Sequence, residues 1–195
     1  MMTPTHVLMG AGLLSRRSSP AVNWAAALGG LMPDVPMFVL FAWDRFVMGL
    51  PEGAIWDGRY DTDAWQIPAG LSHSFPIYAV ILAGGLFWRN AVVTAYSASS
   101  LLHAAVDFLV HHDDAHMQFL PLSRWKFLSP FSYYDPQYYG NIVSKIELLI
   151  AIAMIALLWR RFPSLWVRVA CGVALAAFVA VPLYFSLTMD HEHFH

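Results

Sequence analysis

Leu101-Leu102-His103-Ala104-Ala105-Val106-Asp107-Phe108-Leu109-Val110-His111-His112-Asp113-Asp114-Ala115-His116 is an apolar run that carries a histidine and an aspartate four residues apart. It then ends in a burst of three histidines and two aspartates. On a helix, positions i, i+4 and i+8 lie along one stripe, so His103, Asp107 and His111 point the same way. Imidazole and carboxylate on one face suit a divalent cation, zinc above all. An aspartate at the centre of a membrane helix costs about 2.5–3.5 kcal/mol on insertion scales, so such residues usually serve a function. The plainer alternative is a polar clamp between helices.

The rest of the chain supports a membrane setting. Hydrophobic residues make up 58% of the 195 positions and charged residues only 12%, about half the charge of an ordinary soluble domain. No hydrophilic block is long enough to fold separately, so residues 1–195 read as a single membrane-embedded domain. A net charge of −2 without a basic stripe excludes nucleic acid as a partner. The one cysteine, Cys171, lies in an apolar run, which excludes both a disulfide framework and a cysteine-cluster metal site. Met1 to Leu14 has no basic n-region, so no secretory signal is expected there.

Outward from the opening stretch, Ala91–Val110 is long enough to span a bilayer, as are Ala21–Trp43, Ile142–Trp159 and Leu165–Met189, with Phe75–Trp88 a shorter apolar run. Met1–Leu14 is too short to cross alone. Pro33-Asp34-Val35-Pro36 interrupts the first long run, and two prolines bracketing an aspartate predict a broken helix. Residues 44–73 read as a polar connection and 111–141 as an aromatic-rich loop. The pattern predicts an all-α polytopic membrane helix bundle of about five transmembrane spans plus a short N-terminal helix.

Basic residues set the expected orientation. Placing the short connections inside puts Arg16, Arg17, Arg89, Arg160, Arg161 and Arg168 there, six of the eleven Lys+Arg. All thirteen acids, and every histidine if the first segment starts outside, then lie on the outer side. The expected site therefore opens outward.

The candidate ligands are His6, Asp34, His73, His103 and Asp107, with His112 or His116, themselves four apart, completing the same or a second metal. Asp34 is also a good helix-capping residue, and His73 alone is an ordinary interfacial histidine. Asp113 and Asp114 are the spare carboxylates for acid–base work. The His191, His193, His195 tail reads as an adventitious metal binder. Arg124-Trp125-Lys126 suits either a phosphate or, more often, anchoring at the membrane edge. The chain has no Gly-x-Ser-x-Gly elbow, phosphate loop or dinucleotide fingerprint.

Four short motifs in this order resemble the YdjM-like family of inner-membrane metal-dependent hydrolases. They are His6, the Gly29-Gly30-Leu31-Met32-Pro33-Asp34 run, His73-Ser74, and His103-x-x-x-Asp107. The resemblance covers residues 1 to about 130. Leu71-Ser72 stands where many relatives have threonine before the His-Ser, and the His111–His116 burst replaces their usual Thr and Gly. More remotely, the order of ligands is similar to that of zinc phospholipases C and P1-type nucleases. The first resemblance implies a metal-dependent hydrolase of the bacterial inner membrane and the remoter one phosphoester hydrolysis. With the orientation above and a membrane-embedded site, the expectation is a zinc-dependent hydrolase acting on a phosphoester or lipid-like substrate at the outer face. The competing expectation is a non-catalytic metal-binding or ion-transport protein, which needs polar residues through both halves of the membrane. A purely structural metal staple is the third.

Overall fold

The computed structural model describes the backbone of residues 1–189, with the side chains of its last helix described up to residue 176 and at 178 and 180. The proposed metal-binding tail at 191–195 lies outside the described residues. Among the described residues, nine α-helices run in the order α1 Thr3–Leu14, α2 Pro20–Leu31, α3 Val35–Ala42, α4 Glu52–Ala54, α5 Asp63–Ser72, α6 Phe75–Phe87, α7 Ala91–Val110, α8 Gly140–Arg161 and α9 Leu165–Met189. There is no strand among these residues.

Among the described residues, four stretches are long and apolar enough to cross a membrane: Pro20–Val47, Asp63–Phe87, Ala91–Val110 and Gly140–Arg161. The protein is thus an all-helical membrane bundle, with α1 as the short N-terminal helix. The fifth expected span is the 25-residue α9, whose apolar segment Leu165–Ala176 is the part with a complete side-chain description.

Two boundaries differ from the sequence expectation. The Pro-Asp-Val-Pro stretch does not break the first span. Met32–Asp34 tightens to a 3₁₀ turn, the Val35 N–H reaches the Met32 carbonyl, and α3 continues onward. Pro36 has no N–H to give that same carbonyl, and the shorter i→i+3 bond takes its place. The second span begins at Asp63 rather than Phe75, because α5 stacks end to end with α6 across His73–Ser74. Pro68 inside α5 and its polar first turn hide this helix from a reading of hydrophobic runs.

Helix α7 sits at the centre, packed against α2, α6 and α1, while α1 also lies on α2 and α8. Close approach here rests on glycine. A Cβ on Gly29 would stand 2.3 Å from the Tyr96 carbonyl oxygen of α7, and one on Gly30 would stand 2.6 Å from the His6 carbonyl oxygen of α1. Helix α1 is therefore pulled deep into the bundle although it cannot cross it.

The two ends of the bundle differ in charge. At one end the Arg17 guanidinium donates to the Arg161 and Arg160 carbonyls, and Arg161 donates back to the Gly12 and Ser15 carbonyls. Arg89 follows α6 and precedes α7, so it lies at the end of α7 remote from His111. The 103–116 stretch occupies the opposite end.

Candidate metal centre

The C-terminal half of α7 supplies the floor of the site. His103 and Asp107 are one turn apart, and Asp107 Oδ2 lies 3.0 Å from His103 Nε2. The same carboxylate presents Oδ1 to His111 Nε2 at 3.2 Å, one turn further on. The α5–α6 junction delivers His73, and the 3₁₀ turn after α2 delivers Asp34, whose side chain makes no helix-capping bond. Asp34 Oδ1 stands 3.4 Å from both His73 Nε2 and His103 Nε2. The two imidazole nitrogens are 3.2 Å apart, and His73 Nε2 is 3.5 Å from Asp107 Oδ2.

These separations are the ones a tetrahedral cation requires. Zinc–nitrogen and zinc–oxygen bonds of ~2.0–2.1 Å place neighbouring ligands about 3.3–3.4 Å apart. Five of the six edges among Asp34, His73, His103 and Asp107 run from 3.0 to 3.5 Å. His73, His103 and Asp107 are buried and Asp34 is half-buried. Carboxylates so placed need positive charge nearby, which the Met1 ammonium 2.8 Å from Asp107 Oδ1 supplies in part and a bound cation would complete.

The outer contacts orient the same atoms. His103 Nδ1–H donates to the Gly30 carbonyl at 2.9 Å, and His73 Nδ1–H donates to the Ala69 carbonyl at 2.8 Å. A carbonyl only accepts, so each Nδ1 carries a proton and each Nε2 faces the centre, the nitrogen that would bind a cation there. Thr3 Oγ1 donates to Asp34 Oδ2 at 2.5 Å, which leaves Asp34 Oδ1 facing the histidines.

A second group adjoins the first through Asp107. Ligand atoms of Asp107, His111 and His116 lie within 4.8 Å of one another. His6 Nε2–H donates to Asp107 Oδ1 at 2.8 Å, and the His6 ring stacks on His103 with centroids 3.6 Å apart. The Met1 amino group lies 2.8 Å from Asp107 Oδ1 and from His111 Nε2. His116 stacks on His73, and its buried Nδ1 has no hydrogen-bond partner, nor has that of His6. Burial pushes His116 well below its ordinary range and His6 down to about 4, so both are neutral near pH 7, the form that binds a metal. Burial works most strongly against charge on His111, but the Asp107 and Asp114 carboxylates together outweigh it and the net movement is upward.

The structure separates the remaining candidates. His112 turns away, donating from Nδ1 to the Ser129 carbonyl at 2.6 Å and stacking on Tyr138 with centroids 3.6 Å apart. His111 takes the inward place instead: it caps α7 with its amide on the Asp107 carbonyl and so keeps the stripe, while the chain leaves the helix after it. Asp113 is exposed and accepts from the Tyr134 hydroxyl at 2.6 and 2.7 Å. Asp114 lies beside the centre, with Oδ2 2.9 Å from His111 Nδ1 and its other oxygen, Oδ1, buried without a partner. Arg124 pairs with Asp63 at the surface, 3.0 Å apart, away from both groups. Two residues without a ligand motif also serve the site. Thr3 orients Asp34, and Glu147 of α8 accepts from Thr5 Oγ1 at 2.6 Å and from the Met2 N–H at 2.9 Å, fixing α1 beside the centre. Their partners lie 31 to 145 residues away, and no local pattern marks them.

Comparison of the chain with protein-family profiles, with curated proteins and with solved structures finds no match.

Proposed function

We propose that the protein is a zinc-dependent hydrolase of the bacterial inner membrane that cleaves phosphoesters at its outer face. The observation that carries this reading is the near-tetrahedral set of Asp34, His73, His103 and Asp107 atoms, joined through Asp107 to His111 and His116. The motif resemblance to the YdjM-like family points the same way. The clustering of basic residues at the opposite end favours a site facing outward. Against an ion path stands the placement of the buried histidines and aspartates, which gather toward one end of the helices.

Zinc held there supplies Lewis acidity toward a phosphoryl oxygen and lowers the pKa of water to near neutrality. The chain's own residues do the rest. His73 and His103 keep Nε2 inward through bonds to backbone carbonyls, and Thr3 holds Asp34 in place. Asp114, next to His111 and lining the cavity beside the centre, takes a proton from water as the water oxygen bonds to phosphorus. The bond from phosphorus to the leaving oxygen breaks, and that oxygen receives the proton. Asp113 stays at the rim, holding Tyr134.

Metal analysis of detergent-purified protein tests the reading, together with hydrolysis of bis(p-nitrophenyl) phosphate with and without chelator. Zinc and hydrolysis are expected in the parent, with both lost in His103→Ala. Parent protein that holds no metal after reconstitution overturns the proposal.

A further inference from the structure

A cavity of about 1330 Å³ starts at the metal centre and runs far beyond it. Asp34, His111, Asp114 and His116 line one end. Between the two ends its walls are apolar: Leu8 and Ala11 of α1 at the base, Ala27 and Leu31 of α2 on one side, Cys171 and Ala174 of α9 on the other. At its far end it reaches Pro20 and Arg17, whose guanidinium is engaged with the end of α8. From Asp34 to Pro20 the cavity follows the first span for fourteen residues, about 21 Å at 1.5 Å per residue. That exceeds the ~15 Å depth of one leaflet, half of the ~30 Å hydrocarbon core. The volume also exceeds the ~300–1,000 Å³ usual for small-molecule sites.

We propose that this cavity holds the acyl chain of a membrane lipid whose phosphoester headgroup meets the Asp34–His73–His103–Asp107 centre. The proposal rests on the phosphoester reading above and names its substrate class. The energetics favour a lipid over a water-soluble ester. Drawing a chain into water costs about 0.8 kcal/mol per methylene, roughly 8 kcal/mol for ten of them. Moving the same chain from the bilayer into an apolar channel costs almost nothing, because lipid tails and aliphatic side chains are equally apolar. The channel thus lets a headgroup reach a buried, polar centre while its tail remains in an apolar surrounding. The apolar walls place the tail between α2 and α9, Arg17 is engaged with the end of α8, and zinc held at the other end would attract the anionic phosphoester there.

Photo-crosslinking of the full chain tests this, using phosphatidylglycerol with a diazirine midway along one acyl chain. The label is expected on α1 at Leu8 and Ala11, on α2 near Ala27 and on α9 near Cys171. Ala27→Trp and, from the opposite wall, Ala174→Trp fill the channel and are expected to reduce that label about tenfold. Label from surrounding lipid on the exposed Val80, Ile146 and Leu149 stays unchanged and reports intact folding. His103→Ala, in which no hydrolysis is expected, is expected to keep the channel label, so binding is read separately from catalysis. Channel label no stronger than that on Val80 and Leu149, or insensitive to both tryptophans, overturns the proposal. Strong, tryptophan-sensitive label in a protein that hydrolyses no phosphoester sustains the channel and removes the hydrolase reading instead.

Discussion

Replacing Thr3 with valine removes one hydroxyl and leaves the carboxylate it orients in place. Thr3 Oγ1 donates to Asp34 Oδ2 at 2.5 Å, while Asp34 Oδ1 stands 3.4 Å from each of the two centre histidines. A hydrogen bond to a charged group contributes about 1.5–3 kcal/mol. At about 1.4 kcal/mol per tenfold in affinity, its loss weakens zinc binding roughly 10- to 150-fold. That range overlaps the ~10–100-fold cost of removing outer contacts of metal ligands elsewhere. The assay is competition with a fluorescent zinc chelator on detergent-purified protein, with Thr3→Ser beside Thr3→Val. Serine keeps the donor and is expected to stay within about threefold of the parent. Equal affinity for parent and Thr3→Val would refute the reasoning, because it would mean that Asp34 holds its position without help from α1.

Three further outcomes follow from the same geometry. His116→Ala is expected to keep zinc in the Asp34–His73–His103–Asp107 group, whereas Asp107→Asn, which belongs to both groups, loses it; atomic emission on purified variants decides. His112→Ala is expected to leave zinc content unchanged and to cost about 1–2 kcal/mol of stability, the worth of its bond to Ser129 and its stacking on Tyr138, read by thermal unfolding. In Gly29→Ala the new methyl group would lie 2.3 Å from the Tyr96 carbonyl oxygen. Parting α2 from α7 is expected to cost about 1–3 kcal/mol and to weaken zinc binding by moving Asp34 away from His103, both measurable on one preparation.

Much of the site is legible in the amino-acid sequence, and for a local reason. His103 and Asp107 belong to one stretch of helix, where spacing alone sets direction, and His111, the residue that caps it, still falls on their stripe; each of the three reaches the centre. The mismatch begins one residue past that stripe. His112 and His111 are neighbours in a burst of polar residues, and which ring turns inward depends on where the backbone leaves helical geometry. His111 is already extended, with φ −109° and ψ 122°, and its amide still reaches back to Asp107. The Asp63–Ser72 helix is hidden because a proline and a polar first turn mask its apolar face. The Pro-Asp-Val-Pro stretch becomes a 3₁₀ turn instead of a break because one shorter bond suffices to continue the helix.

By itself, the sequence determined what depends on length, polarity and helical period: a membrane-embedded helical bundle, a short first helix, a basic end opposite a histidine- and aspartate-bearing end, and the stripe on α7. Only the tertiary structure decided which distant groups complete that stripe. Thr3 and Asp34 reach it because glycines at 29 and 30 let α1, α2 and α7 approach within backbone contact, while the α5–α6 junction brings His73 and α8 brings Glu147. The channel between α2 and α9 exists because α2 packs on α7 and α1 while α9 packs on α8. Both outcomes are set by side-chain volume across helices, for which a linear pattern has no period.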